Sequence, residues 1–158
     1  MAVNIYNMSN PVHDYFKSRV GQDLGEFSPP FSRWLAGTFT EITDKSATMD
    51  FVVREDMANP VQMLHGGVHA AIIDEMTGLM VASLGLPNLY VSINLSVDFV
   101  SKAKIGETVT AKATLDKQGN MVMNTSCEIR NKEGQLLSRG TCILVNTNKE
   151  RAYNKGEK

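Results

Sequence analysis

Between Val68 and Leu84 the chain has no proline and a single charged pair, Asp74-Glu75; Ala, Ile, Leu, Met and Val fill most of the other positions. A helix that is apolar on every face belongs in a core. A bilayer span needs about 20 apolar residues, and this run is too short and too interrupted to supply them. Gly85-Leu86-Pro87 closes it, because glycine suits the left-handed position after a last turn and Pro87 blocks continuation. Successive helical residues point about 100° apart, so a buried helix brings at most one of two adjacent acids to an exposed edge. One carboxylate is therefore expected inside, where an unpaired charge is costly. The run opens on His65-Gly66-Gly67, with Asn59-Pro60 just before it.

The chain has 158 residues, enough for one domain with a substantial core and few enough to make two improbable. A net charge of -1 with scattered basic residues gives nucleic-acid binding little electrostatic support. Cys127 and Cys142 match no metal or disulfide framework and read as small core residues in a reducing compartment. The N-terminus lacks a basic region followed by an apolar run, so no signal peptide is expected. A cytoplasmic protein with no membrane partner is the expectation.

Asn10-Pro11 suits a cap and first helical residue, and Val12, Phe16 and Val20 then recur at helical spacing, predicting a short helix over Pro11 to Val20. Gly21 to Ser32 reads as a loop, and Trp34 to Thr43 as β-prone, with a turn at Asp44-Lys45. Ala47, Met49, Phe51 and Val53 alternate with Thr48, Asp50 and Val52. After the buried helix, Val91, Ile93, Leu95, Val97 and Phe99 share one face of a strand, with Ser92, Asn94, Ser96 and Asp98 on the other. Val109, Ala111, Ala113 and Leu115 mark another strand, Met121 to Ile129 the next, and Leu136 to Val145 the last. Turns fall at Gln118-Gly119-Asn120 and Glu133-Gly134. The expected division is residues 1–32 as N-terminal helix and loop, 33–147 as the folded domain, and 148–158 as a frayed polar tail.

The order is thus helix, two strands, one long buried helix, then four strands in a meander, an α+β arrangement. A curved antiparallel sheet needs one face covered, and the buried helix is the obvious cover. One sheet leaves the helix incompletely buried, and its far side calls for a second copy of the chain.

Asn59, His65-Gly66-Gly67, Asp74 and the later stretch "DFVSKAKIGETVTAKATL" resemble the hotdog-fold thioesterases, and within them the phenylacetate-pathway (PaaI-type) group. The resemblance runs over roughly Trp34 to Asn146. It implies a long central helix wrapped by an antiparallel sheet, with two protomers side by side. It implies hydrolysis of an acyl-CoA thioester to free acid and coenzyme A, with no cofactor and no metal. Asp74 stands where the family has its carboxylate, a general base or nucleophile. Gly66 stands where a backbone N–H polarises the thioester carbonyl, and Asn59 where an amide assists. His65 stands where an imidazole shapes the loop near the departing sulfur. Ser92 matches a position where one branch orients water with a hydroxyl. Another branch uses a hydroxyl one turn after the carboxylate; here that position is Gly78, which leaves Ser92, with Thr77 as a substitute. Gly67 would allow close approach of substrate, and Lys102 and Lys104 would contact the coenzyme A phosphates.

Elementary chemistry supports these roles. A helix start offers free N–H groups and a positive dipole end, which suit the oxyanion formed on attack at a thioester. A carboxylate in apolar surroundings becomes more basic and can take a proton from water. Each residue also has a plainer reading. Asp74 could pair with an arginine, and Glu75 could reach an edge or a salt bridge. His65 could simply bond its loop, and Asn59-Pro60 could be a turn. Ser92 could face solvent, the lysines could be ordinary loop residues, and His69 could join His65 on a metal. Met57, Met63, Met76 and Met80 suit an adaptable acyl pocket or plain core packing. The competing functions are a hotdog hydratase or dehydratase, for which "DMANPVQMLH" supplies Asp56, Asn59 and His65 at stretched spacing, and a non-catalytic acyl-CoA-binding module. Gly66 and Asp74 lie eight residues apart, about 12 Å along one helix, so one helix cannot bring both to a reacting centre. Two antiparallel helices can. The expectation is a homodimer at minimum with shared sites, and a homotetramer built as a dimer of dimers as the next assembly.

Overall fold

The structure is a computed structural model that describes residues 10–25 and 28–150. The N-terminal and C-terminal ends of the expected division, residues 1–9 and 151–158, lie outside the described residues.

Helix α1 spans Pro11–Ser18. The Asn10 side chain caps it by accepting from the His13 N–H at 3.0 Å, and its Nδ2 donates to the Ser83 carbonyl at 3.0 Å. One asparagine therefore starts α1 and ties it to the end of the central helix. α1 ends two residues before the expected Val20, because the chain turns away to pair with a strand: the Gly21 N–H reaches the Phe39 carbonyl at 2.8 Å. The expected strand over Trp34 is a helix instead, α2, Pro30–Leu35. Pro30 presets the first turn, and Ser32 and Leu35 are buried while Phe31 and Trp34 face out, so packing overrides the β-propensity of the segment. Ala36, at φ 53°, ends it in the left-handed region.

Strands β1 (Thr38–Ile42) and β2 (Ser46–Val52) form a hairpin, and the central helix α3 spans Gly66–Ser83. Strands β3 (Asn88–Phe99), β4 (Thr108–Gln118), β5 (Val122–Asn131) and β6 (Leu136–Glu150) follow. β6 continues past the expected Val145 because it pairs with β3 as far as Asn88↔Glu150. All pairings are antiparallel, and the order is β1-β2-β4-β5-β6-β3. The four-strand meander is therefore corrected: β4, β5 and β6 meander, but β3 lies beside β6 at the far edge. The link from β3 to β4 runs past the ends of the intervening strands, bonding Leu137 from Val100 and Ser101 (both 2.9 Å) and Val53 from Gly106 (2.8 Å).

The sheet curves over α3. Ile72, Ile73, Met76 and Met80 on the helix are fully buried against Met49 and Phe51 of β2, Ile129 of β5 and Leu144 of β6. Close approach depends on small residues opposite: Ala111 and Ala113 on β4 and Gly140 on β6. A Cβ on Gly140 would lie 2.7 Å from the Ser96 carbonyl oxygen and 3.0 Å from Ile73. Met57, Met76 and Met80 are buried in the core, and Met63 is half-buried. Cys127 and Cys142 are buried free thiols, and burial pushes the Cys127 thiol up to about 12.

α3 is not uniformly covered. Gly67, Ala70, Ala71, Asp74 and Gly78 form a partly open outer stripe, and a Cβ on Gly78 would meet nothing within 4 Å. Of the two acids, Asp74 is exposed on this stripe, and Glu75, for which an edge or a salt bridge is the plainer reading, is the one drawn in. Burial pushes the Glu75 carboxyl above the ordinary carboxylate range; a hydrogen bond from Ser32 of α2 opposes the shift and the neighbouring Asp74 charge adds to it.

Two outcomes follow from this packing. Gly140→Ala should lower stability by about 1–3 kcal/mol, the scale of an overpacked core. Urea denaturation should show a lower midpoint, and an unchanged midpoint would mean that β6 and α3 are less tightly apposed. A raised acid pKa means that the folded chain holds its proton to higher pH than the unfolded chain, so stability is lost as pH rises from the unfolded toward the folded value. Glu75→Gln removes that slope. The melting-temperature difference, variant minus wild type, should grow more positive as pH rises through the carboxylate range and then level off. A flat difference would show that Glu75 is not desolvated.

Candidate active site

The start of α3 is built by its preceding loop. The Asn59 carboxamide oxygen accepts from the Val61 and Met63 N–H groups at 3.1 and 3.0 Å, and the Asn59 N–H donates to the Met63 carbonyl at 2.8 Å. Gln62 completes this tight turn at φ 60°. The loop is then stapled at both sides. The His65 N–H bonds Met57 and the Leu64 N–H bonds Ala103, each at 2.9 Å, and Met63 bridges Lys104. His65 is the N-cap of α3: its Nδ1 accepts from the Gly67 N–H at 2.9 Å. The Gly66 N–H, by contrast, makes no hydrogen bond among the described residues, and it sits at the positive end of an 18-residue helix. Asn59 thus does form a turn, with its oxygen committed and its NH2 left to donate.

The middle of α3 carries a second cluster. Ser92 Oγ donates to Asp74 Oδ1 at 2.7 Å. Simple alternation puts Ser92 with Asn94, Ser96 and Asp98, and the structure corrects this. The β3–β6 register steps from Ser92↔Leu144 to Asn94↔Ile143, so Ile93 is the extra residue of a β-bulge. Paired residues point to the same face of a sheet. Leu144 and Cys142 face α3, so Ser92 joins Leu95 and Val97 on the helix side, and Val91 turns outward. Sequence alternation carries no mark of a bulge, which is why this contact was not readable.

Other expected site residues fall as follows. Thr77 is fully buried and its hydroxyl donates to the Asp74 carbonyl at 3.0 Å, so it faces the core. Gly67 is exposed at the helix start, its N–H taken by His65. Lys102 and Lys104 are exposed on the connection that staples the Asn59 loop, within the same corner of the fold. His69 does not join His65: it is buried, with Nδ1 2.9 Å from Ser138 Oγ and its ring edge-on to Phe99, and burial lowers its pKa. Asp56, required by the hydratase reading, is bound to Arg54 (3.1 Å) and to the Trp34 indole (2.9 Å), and the Arg54 hydrogen bond holds its carboxyl below the usual range.

Two separate polar clusters therefore stand on one helix. An unpaired N–H with an amide donor stands at the start of α3, and a carboxylate–hydroxyl pair stands at its middle, about 12 Å away by helical rise. Beyond them, β3 is an open sheet edge whose Val91 and Ile93 are 40% and 62% exposed.

Comparison with known proteins agrees with this architecture. Residues 62–138 match the model of the thioesterase superfamily. The chain is 31% identical over 116 residues to mouse acyl-coenzyme A thioesterase 13, covering 71% of this chain and 81% of the mouse protein. The matches to the human and orangutan proteins of the same name span 64% of their length. The E. coli PaaI protein from the phenylacetic acid degradation operon superposes with a TM-score of 0.72 at 20% identity, over 78% of this chain and 88% of its own. A hypothetical thioesterase from Streptococcus pneumoniae, solved with coenzyme A, gives 0.68 at 23% identity over 73% of this chain and 91% of its own. The six-stranded antiparallel sheet curved over one central helix is thus the hotdog fold, and the chain belongs to the thioesterase superfamily.

Proposed function

We propose that this protein hydrolyses acyl-CoA thioesters at sites shared between two copies of the chain. The observation that carries the reading is the exposed Asp74–Ser92 pair at 2.7 Å on the open stripe of a helix whose own start holds an unused N–H. Names of the relatives and the coenzyme A complex of a structural neighbour support the substrate class.

In this reading the thioester carbonyl oxygen of the substrate accepts from the Gly66 N–H of one subunit, assisted by the Asn59 NH2. Asp74 of the other subunit takes a proton from water, with Ser92 holding one of its oxygens. The hydroxide adds to the carbonyl carbon, and the negative charge collects on the oxygen at the helix start. Collapse breaks the C–S bond, and the proton on Asp74 goes to the departing thiolate. Direct attack by Asp74 on the carbonyl, followed by hydrolysis of the anhydride, uses the same groups. His65, as the cap, fixes the direction of the Gly66 N–H, and Lys102 and Lys104 flank the helix start where coenzyme A phosphates would lie.

Sharing follows from reach. Donor and base must lie within about 3–4 Å of the reacting centre, and one helix holds them about 12 Å apart. Pairing two copies about a twofold, β3 edge to β3 edge, would bring the start of one α3 beside the middle of the other. It would also cover Val91, Ile93 and the small outer stripe. The protein is then at least a homodimer, with a dimer of dimers open to it.

Asp74→Asn should fold normally and lose turnover by about a hundredfold or more, with KM little changed, because it removes the base and leaves the pocket. Thiol release from a panel of acyl-CoAs measures it; near-normal turnover would end this mechanism, and binding without release in the wild type would favour the non-catalytic reading. For shared sites the test is complementation. Asn59→Asp keeps the oxygen that closes the loop and removes the amide donor. Each single variant should be nearly inactive, and activity should return on mixing under conditions that exchange subunits. A mixed dimer carries both lesions in one site and neither in the other. Verified exchange without recovery would exclude shared sites.

A further inference from the structure

We propose that Cys142 is a positioning residue: its thiol donates to Ser92 Oγ and so holds the Ser92 hydrogen on Asp74. The proposal rests on the reading of Asp74 as the group that activates water.

The geometry is a short donor chain. Cys142 Sγ lies 3.3 Å from Ser92 Oγ, which lies 2.7 Å from Asp74 Oδ1. Its direction is set by chemistry. An ionised carboxylate only accepts, so Ser92 must donate to Asp74, and a hydroxyl that has spent its one hydrogen can only accept from a further partner. The thiol is therefore the donor in the inner link. Among the described residues, Ser92 Oγ has no other partner. Removing the thiol frees the hydroxyl to rotate and to exchange Asp74 for solvent.

The contact is itself a product of the bulge. Cys142 pairs across the ladder with Leu95, and Ser92 pairs with Leu144. With Ile93 looped out, Ser92 and Leu95 come to share the helix face, and the Cys142 side chain reaches Ser92 on the diagonal. The thiol is 1% exposed, so water does not compete for it. Its backbone is held as well, because the Cys142 carbonyl accepts from the buried Thr125 hydroxyl at 3.1 Å. A residue that reads as plain core packing is thereby placed behind the Ser92 hydroxyl, on the side away from Asp74 Oδ1.

The test compares Cys142→Val, which fills the space without a donor, with Cys142→Ser, which keeps one, each in the wild-type and the Ser92→Ala background. Ser92→Ala alone should lower turnover by less than Asp74→Asn and leave the melting temperature nearly unchanged. Cys142→Val should lower kcat about fivefold, the rate equivalent of one neutral hydrogen bond, with KM unchanged. Cys142→Ser should recover most of that loss. In the Ser92→Ala background Cys142→Val should cost nothing more, because its route to Asp74 is already cut. The same fivefold loss in both backgrounds, or wild-type kcat in Cys142→Val while Asp74→Asn is inactive, would overturn the positioning role and leave the Asp74 reading standing. Full activity in Asp74→Asn would overturn both. Should the valine variant fail to fold, Cys142→Ala and Cys142→Ser decide: a faster serine variant supports the relay, and equal rates overturn it.

Discussion

Everything in this fold is arranged around the burial of one side of α3. Eighteen helical residues with Ile72, Ile73, Met76 and Met80 along one side must be taken out of water, and a single curved sheet can cover only that side. The tightness of the cover comes from residues that are nearly absent: Ala111, Ala113 and Gly140 stand where larger side chains would hold the helix off. The other side of α3 carries Gly67, Ala70, Ala71, Asp74 and Gly78. Small residues there have a different effect from small residues on the sheet, since they leave the Asp74 carboxylate open to the outside.

Adjacent acids on a half-covered helix are forced into different environments by about 100° of rotation. Glu75 turns toward α2, is desolvated, and accepts from Ser32. Asp74 turns outward and accepts from Ser92. Two carboxylates of nearly identical chemistry thus divide between a desolvated environment and an open one. The N-terminal segment contributes to this division directly, because α2 supplies the hydroxyl that satisfies Glu75. Without it, a partly buried acid would stand unpaired beside the site.

The bulge at Ile93 links sheet to site. An unbroken strand would send Ser92 to the outer face and bring Val91 inward. One extra residue reverses the first part of β3 and leaves the rest in phase, so that Ser92, Leu95 and Val97 all meet the helix. The Asp74–Ser92–Cys142 chain exists only because of that step. The exposed Val91 and Ile93 are its other consequence, on the edge strand where a second copy would add.

How much of this was legible depends on the range of the interactions concerned. The central helix and its end at Gly85, the later strands and their turns, and the capping asparagine of α1 are readable, because local periodicity, caps and turn residues act within a few positions of chain; the candidate group Asn59, His65, Gly66 and Asp74 stands out in the sequence by resemblance. The sidedness of Asp74 and Glu75 is not legible in the sequence, since it depends on which elements arrive to cover α3. Trp34 went into a helix because Ser32 and Leu35 found buried places there. Sequence order suggests β3 beside β4, yet it pairs with β6, and only the path of residues 100–107 determines that. Resemblance picks out Ser92, but alternation sets it on the opposite face from the one that the bulge gives it. The sequence alone therefore determined most of the segments and the chemical groups available along them. Which strand neighbours which, which way each side chain turns, and which groups converge were decided by tertiary structure, because long-range pairing and burial select among local patterns that are individually equivalent.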